Sequence, residues 1–172
     1  MAGRSAVHDA LAQAQRSAVH LEMRDDYSHA DPEFAEWQEG VPIEPNERFR
    51  AWFDLVAATV ARGVQVRRAR IVSEPATEYI RFEYELTNVL NAPAGEQVRW
   101  LPRQRASDLA LPGNDFWLFD DELVIFNHFA GDGGWTGERE EKRTEPAVVK
   151  LCGSAFEAVW ERAIPQDEYR LV

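Results

Sequence analysis

Two uninterrupted apolar runs, separated by three acidic residues, constrain the fold of this chain more than any other feature. Phe-Trp-Leu-Phe occupies residues 116–119 and Leu-Val-Ile-Phe occupies residues 123–126. Neither run alternates with polar residues, which is typical of strands that other elements cover on both faces. The linker Asp120-Asp121-Glu122 is short enough for a hairpin turn, so the two runs are predicted to pair as neighbouring buried strands.

The segments around this hairpin predict further strands and the helices that cover them. Residues 64–72 and 97–101 are strand-like with a helix between them, and a helix with an inward apolar stripe follows Thr144. From residue 64 onward the order is therefore β-α-β-β-β-α, after an N-terminal helical region. This order predicts an α/β (α+β) fold in which helices flank a single mixed β-sheet.

The chain is expected to form one structural domain with two parts. Its 172 residues suit one domain, and 45% hydrophobic residues can supply a core without a disulfide or a structural metal. We expect an N-terminal helical region, residues 1–63, to pack on a mixed-sheet core, residues 64–172. Residues 20–27 alternate apolar and charged side chains, which favours a short edge strand.

Cysteine content and hydropathy bear on the location of the protein. Cys152 is the only cysteine, so neither an intramolecular disulfide nor a Cys-rich zinc site can form. A single thiol favours a reducing cytoplasm over a secreted protein. No apolar run approaches the roughly 18 residues of a membrane span, and the first 20 residues lack the apolar core of a signal peptide. We expect a cytoplasmic protein that does not contact membranes.

The charge of the chain is strongly negative but uneven. The formal net charge is −11, which argues against general binding to phosphate backbones, so no direct nucleic-acid partner is expected. Residues 62–105, by contrast, hold eight Arg and five Glu, a net charge of +3. This basic stretch indicates either local ion pairs or a face that binds anions.

Sequence motifs of the common enzyme and cofactor sites are absent. The chain has no Walker A loop, no G-x-G-x-x-G and no G-x-S-x-G. Its four histidines do not form H-x-H or H-E-x-x-H pairs. The motifs therefore predict no catalytic residue, no metal ligand and no cofactor.

Four arginines are the first group of candidate binding residues. Arg68 and Arg70 lie on one face of the strand at 64–72, beside three valines, and Arg99 and Arg103 belong to the next strand and its loop. If these strands are adjacent, the guanidinium groups converge and can bind a carboxylate or phosphate. Three glutamates could instead satisfy the charges internally, namely Glu74, Glu78 and Glu96.

Polar residues at the ends of the two apolar runs form the second group. Asn127 and His128 follow the second run and precede a glycine-rich turn, and Asp115 precedes the first run. His128 could act as an acid or base near neutral pH, or it could simply end a strand, and Asp115 could equally be a turn residue. With Tyr79 these groups would define a pocket for an anionic ligand. The candidate ligand-binding residues are Arg68, Arg70, Glu74, Tyr79, Arg99, Arg103, Asp115, Asn127 and His128.

Several segments resemble a family of actinobacterial proteins. They are RRARIVSEPATEYIRFEYELT, AGEQVRWLPR, LPGNDFWLFDDELVIFNHF and FEAVWERAIPQDEYR, within residues 20–170. The family is a domain of unknown function, often encoded beside helix-turn-helix regulators. The resemblance implies a regulatory neighbourhood and no established activity.

The order β-α-β-β-β-α is also similar to one half of the phospholipase D fold. Certain regulators use a catalytically dead copy of that fold as an effector domain, whereas the active enzymes carry an H-x-K motif followed by Asp. His128 is followed by Phe129 and Ala130, so the lysine is missing here. The resemblance therefore implies the fold and not phosphodiesterase chemistry of that type.

Two hypotheses for function follow. The leading one is a non-enzymatic regulatory or accessory protein that acts through a protein partner, such as a helix-turn-helix regulator, a small anionic ligand, or both. The alternative is a hydrolase or phosphodiesterase-type enzyme that uses His128 with Asp115 and Arg residues. Convergence of these groups in one concave pocket would favour chemistry or ligand binding, and a flat apolar patch would favour a partner.

Overall fold

A seven-stranded mixed sheet with helices on both faces forms the fold. The computed structural model describes residues 5–44 and 47–172, without the side chain of Arg48. The helices are α1 (Ala6–Gln13), α2 (Pro32–Gln38), α3 (Glu47–Ala61), α4 (Glu78–Leu86) and α5 (Pro146–Arg162). The strands are β1 (Ser17–Glu22), β2 (Gln65–Val72), β3 (Gln97–Pro102), β4 (Phe116–Phe119), β5 (Leu123–Phe129), β6 (Trp135–Arg143) and β7 (Ile164–Pro165). The predicted fold class is confirmed.

The strand order across the sheet is β6-β5-β4-β1-β2-β3-β7. Strands β1, β2 and β3 run parallel to one another, and α4 lies in the connection from β2 to β3. The strands β4, β5 and β6 extend the sheet in antiparallel fashion beyond β1, and β7 pairs antiparallel with β3. None of the helices in the described ranges is long and apolar enough to cross a bilayer.

The predicted hairpin of the two apolar runs is present as β4 and β5. Asp120 and Asp121 have φ values of 53° and 57°, the left-handed conformation that two-residue turns of this kind need. The Asp120 carboxylate also accepts hydrogen bonds from the backbone N–H groups of Gln15, Arg16 and Ser17, at 2.9, 2.7 and 2.9 Å. The turn thereby fixes the start of β1 beside β4.

The N-terminal region differs from its prediction, because it supplies the centre of the sheet. β1 lies between β4 and β2 and is not an edge strand. Its polar residues, His20 and Glu22, suggested an exposed face, but their side chains are largely buried and line a cavity. Helix α1 is also anchored on the sheet through Val7 and Leu11, both buried. Residue 63 therefore does not divide two structural parts, and residues 1–4 lie outside the described ranges.

The charged segment at residues 138–143 belongs to a strand, and its side chains are mostly exposed. It forms most of β6, which pairs with β5 on one side only. Charged side chains along such an edge are compatible with pairing on one side and discourage association with another strand on the other.

The two faces of the sheet are covered differently. On the first face, Phe156 and other apolar residues of α5 pack on strand residues that include Leu21, Ile71 and Leu118. On the second face, α1 and α3 cover one patch and α2 and α4 cover another. Along β2, Val66 belongs to one patch and Val72 to the other. Because side chains alternate along a strand, the residues between them, Arg68 and Arg70, lie in the gap between the patches.

Candidate functional site

A cavity of about 680 Å³ lies in this gap on the second face of the sheet. Its floor comes from β1, β2, β4 and β5, and its walls come from the helices on either side. Seven aromatic rings line it, together with two guanidinium groups and six carboxyl groups. The carboxyl groups belong to Glu22, Asp31, Glu33, Glu83, Asp115 and Glu140.

Arg68 on the floor is held by two carboxylates. Its Nε donates to Glu96 Oε1 at 2.7 Å and its Nη1 donates to Glu22 Oε1 at 2.6 Å. The guanidinium carbon also lies 5.6 Å from the centroid of the Trp117 ring. Arg68 is 7% exposed, so its charge is matched inside the protein and not by solvent.

Arg70 is satisfied in the same way. Its Nε donates to Glu22 Oε2 at 2.5 Å, and its Nη2 forms an ion pair with Glu83 Oε2. Its Nη1 donates to Thr87 Oγ1 at 2.6 Å and to the Glu83 carbonyl at 3.2 Å. Burial opposes ionisation of Glu22, but the charges of Arg70 and Arg68 outweigh it and hold the Glu22 pKa below its usual range.

The positive charges of Arg68 and Arg70 are therefore matched by ion pairs within the protein. Of the three glutamates proposed from sequence as internal partners, only Glu96 contacts these arginines. Glu74 accepts a hydrogen bond from the Tyr169 hydroxyl at 3.0 Å, and Glu78 accepts one from Gln38 at 2.8 Å. The wider basic stretch behaves alike, since Arg67 pairs with Glu157 and Arg103 with Asp25.

Tyr79 joins two carboxyl groups at one wall of the cavity. Its hydroxyl lies 3.1 Å from Asp31 Oδ2 and 2.9 Å from Glu83 Oε1. The hydroxyl has one proton, so a hydrogen bond to both carboxyls requires that one of them contributes a proton of its own. Burial favours this state, because it raises the pKa of Asp31 to about 8 and also raises that of Glu83.

Asp115 is a second buried carboxyl at the cavity. It is 3% exposed and accepts hydrogen bonds from the Tyr27 hydroxyl and from the Met23 backbone N–H, the latter at 2.9 Å. Burial raises the pKa of Asp115 to about 7 despite these donors. The Asn127 backbone N–H bonds to the Asp115 carbonyl at 2.8 Å, which ties β5 to this corner of the cavity.

Three buried polar atoms at the cavity make no hydrogen bond to any described residue, and one of them, Glu83 Oε2, is met by the ion pair with Arg70. The Asn91 Nδ2 donates to Glu96 Oε2 at 2.6 Å, while its Oδ1 has no partner. The Nδ1 of His20 makes no hydrogen bond and lies 3.5 Å from Glu22 Oε1, and the ring stacks on Trp117 with centroids 4.3 Å apart. Burial holds the pKa of His20 well below its usual value, so the imidazole is neutral. Unsatisfied buried polar groups are costly in the absence of a ligand or water.

The nine candidate residues do not all meet at this cavity. Five of them line it, namely Arg68, Arg70, Tyr79, Asp115 and Asn127. Arg99 projects from the first face, where it lies over the Trp160 ring at 4.3 Å and donates to the Trp160 carbonyl. Arg103 donates to Asp25 and to the Met23 carbonyl. The predicted convergence of four arginines is therefore not formed.

His128 lies on the opposite face of the sheet from Asp115 and the floor arginines. Asn127 and Phe129 line the cavity and His128 does not; its partner Glu141 pairs in register with Phe126, which packs against the apolar layer under α5. His128 Nε2 instead lies 3.1 Å from Glu141 Oε2 on β6. The predicted grouping of His128 with Asp115 and Arg residues is not assembled.

Sequence reasoning missed the acidic half of the site. Glu22 and His20 pair in register with Arg70 and Arg68 on the neighbouring strand. The available signal was the equal spacing of His20-x-Glu22 and Arg68-x-Arg70, which places four polar side chains on one face of two strands. Asp31, Glu83 and Asn91 belong to helical or turn segments and had no comparable signal.

Three solved structures are similar to this chain at low sequence identity. TrmBL2, an archaeal chromatin protein described as showing a novel mode of DNA binding, is 15% identical over 91% of this chain, with a TM-score of 0.51. Nuc from Salmonella typhimurium, a phospholipase D family member, is 14% identical over 95% of this chain and 88% of its own, with a TM-score of 0.51. NucT from Helicobacter pylori is 12% identical over 92% of this chain and 87% of its own, with a TM-score of 0.49. The chain spans about half, 48%, of the TrmBL2 chain.

The likeness to TrmBL2 corrects the expected partners. The net charge of −11 predicted no direct nucleic-acid partner, yet a chromatin protein with a described mode of DNA binding shares this fold. Overall charge is therefore no basis for excluding nucleic acid.

The resemblance to the phospholipase D fold is supported at the level of fold by Nuc. The H-x-K motif is absent throughout the sequence, because its two lysines, Lys142 and Lys150, are not preceded by a histidine two residues earlier.

A family assignment completes the comparison. No curated protein matches the sequence. A family described as a domain of unknown function matches residues 5–171, which is nearly the whole chain, and this confirms the resemblance noted from sequence at that level. The chain therefore belongs to the DUF6879 family.

Proposed function

We propose that this protein is a non-enzymatic regulatory or accessory module that acts by holding a small molecule in the cavity on the second face of the sheet. The observation that carries the proposal is the unpartnered Oδ1 of Asn91, a side chain 5% exposed, on a cavity of about 680 Å³. Concave sites with apolar walls and a few fixed polar groups are the usual form of small-molecule sites.

The arrangement of charges supports binding over chemistry. The floor arginines are engaged by carboxylates on several sides, so they are positioned as structural members of the floor. The alternative hydrolase grouped His128 with Asp115 and arginines, and these lie on opposite faces of the sheet. An enzyme of that kind would need a different set of residues.

The regulatory part of the proposal is based on the resemblance to an actinobacterial family whose genes often lie beside those of helix-turn-helix regulators. A ligand-dependent change in a small domain is a common way to convey a signal to another component. The buried, single Cys152 is compatible with the cytoplasmic location that we propose.

The test is a thermal-shift screen of the full chain against a library of small metabolites. A bound ligand should raise the melting temperature in a concentration-dependent way. The same hits should fail with Ala30→Trp, which fills the cavity at its wall, and should persist with Val41→Trp, which adds the same side chain at a site 48% exposed. Hits that bind the Ala30→Trp variant as well as they bind the wild type would contradict the cavity as the site.

A second candidate function is direct binding to nucleic acid, favoured by the likeness to TrmBL2. The test is a titration of labelled duplex and single-stranded DNA at about 50 and 150 mM salt, since backbone contacts weaken steeply with salt. Saturable, salt-dependent binding would support this function. Binding that survives in the Ala30→Trp variant would show that nucleic acid and the cavity ligand use separate surfaces.

A further inference from the structure

We propose that the cavity takes a compact organic cation with N–H donors, such as an amine, amidine or guanidine on a small apolar body. This inference rests on the proposed ligand-binding function and names the chemical class of its ligand. It replaces the anionic ligand expected from the arginine-rich strand. Four features of the cavity carry it, and each concerns a different property of the ligand.

The first feature is the sign of the charge. Six carboxyl groups line the cavity against the two guanidinium groups of Arg68 and Arg70. Glu96 adds a further carboxylate beneath the floor, through its contact with Arg68. With Asp31 and Asp115 both protonated, four carboxyl groups still face two arginines, so the lining favours a positive ligand and disfavours an anion.

The second feature is the hydrogen-bonding polarity of Asn91. Its Nδ2 donates to Glu96 Oε2, and a carboxylate can only accept, which fixes the orientation of the amide. The unpartnered atom is consequently the carbonyl Oδ1, an acceptor. A ligand that completes this site must present a donor, which an N–H group supplies and a carboxylate or phosphate does not.

The third feature is the aromatic lining. Seven rings line the cavity, among them Trp52, Trp117 and Trp135. Aromatic faces attract cations that have left bulk water, most strongly on Trp. The floor already shows this preference, since Arg68 lies over Trp117 and Arg70 lies over Trp100 at 5.0 Å.

The fourth feature is a displaceable proton at the wall. The Tyr79 hydroxyl bridges Asp31 and Glu83, and one of the two carboxyls must supply a second proton. A cation that binds beside Asp31 favours its ionised form, so the proton leaves to the solvent buffer as the ion pair forms. Binding is therefore coupled to proton release, and it tightens as pH rises toward the pKa of Asp31 at about 8.

The experiment compares four probes of one shape by calorimetric titration of the full-length protein. Benzamidine is a flat cation with N–H donors, benzamide is its neutral counterpart, benzoate is the anion, and trimethylphenylammonium is a cation without donors. We expect benzamidine to bind about tenfold or more tightly than each of the other three, since a charge-assisted hydrogen bond is worth at least that factor. Two buffers of different ionisation enthalpy at pH 7 should give different heats, in proportion to the proton released.

Matched variants locate the effect. Asp31→Asn keeps the shape and the acceptor that caps α2 but cannot ionise, and we expect benzamidine to bind about tenfold more weakly and to release less proton. Asn91→Leu should also weaken benzamidine and should leave the discrimination against benzoate intact. Asp54→Asn makes the same substitution at an exposed position on α3 outside the cavity lining and should leave affinity unchanged.

The outcomes separate this inference from the proposed function. Equal or tighter binding of benzoate or benzamide at the cavity would overturn the cation class and would leave the cavity as a ligand site. Failure of all four probes at about 10 mM would also overturn it. The proposed function itself is decided by the metabolite screen with Ala30→Trp, which does not depend on ligand charge.

Discussion

The two faces of the same central strands are built on opposite principles. Toward α5, Leu21 and Ile71 of β1 and β2 pack in an apolar layer. At the adjacent position of each strand, Glu22 after Leu21 and Arg70 before Ile71 form a buried ion pair beside a cavity. Apolar packing stabilises a fold directly, whereas a buried ion pair gains little over apolar side chains of the same volume. This difference is the one expected if the first face stabilises the fold and the second face holds the ligand that we propose.

The largest expected effect concerns the apolar face. Phe156→Ala removes a fully buried ring between α5 and the sheet, and it should lower the free energy of unfolding by about 3–5 kcal/mol. Urea denaturation followed by circular dichroism measures this change. If the variant folds, its affinity for benzamidine should match that of the wild type. A loss below about 1 kcal/mol would show that α5 is not the main support of the sheet.

The floor should respond to the loss of one charge by a similar or slightly smaller amount. Glu22→Gln keeps the shape but removes the carboxylate shared by Arg68 and Arg70, with an expected cost of about 3 kcal/mol in urea denaturation. The Glu22 pKa is lowered in the folded state, so this stabilisation exists above the unfolded pKa and disappears as pH falls. The difference between variant and wild type should therefore shrink below about pH 4, and a pH-independent difference would contradict the ion-pair explanation.

Asp115 should affect stability with the opposite dependence on pH. Its folded pKa of about 7 lies above the usual value, so its favourable contribution is complete below the unfolded pKa and is lost as pH rises through 7. Asp115→Asn mimics the protonated form. Its free energy of unfolding, relative to that of the wild type, should therefore rise by about 2 kcal/mol between pH 5 and pH 8. Chemical denaturation at several pH values tests this. If the variant instead becomes less stable relative to the wild type as pH rises, Asp115 is ionised in the folded protein.

The smallest effect is expected at His128. Its ring is partly exposed and pairs with Glu141, whose side chain is also exposed, and such pairs contribute little. His128→Gln should change the free energy of unfolding by less than about 0.5 kcal/mol and should leave benzamidine affinity unaltered. A large loss of ligand affinity would show that His128 belongs to the site and would contradict its placement on the opposite face of the sheet.

Periodicity and composition predicted the fold class because apolar runs such as residues 116–119 mark buried strands whatever their neighbours are. The place of β1 was not predictable in the same way, since polar residues such as Glu22 normally indicate solvent and here indicate a buried ion pair. The arginines of β2 were identified from their valine-rich face, but the sign of the site was not, because it depends on Asp31 and Glu83 from other elements. Only the folded chain brings these two carboxyl groups to the cavity.

The pH dependence of benzamidine affinity is the most direct measurement of the cavity's role. Titration calorimetry at pH 6 and pH 8.5 keeps the probe positively charged throughout, while Asp31 and Asp115 change from mainly protonated to mainly ionised. A cation site in which carboxyls surrender protons predicts affinity at least about tenfold tighter at pH 8.5, an effect that Asp31→Asn reduces. Affinity that is the same at both pH values, or tighter at pH 6, would contradict it.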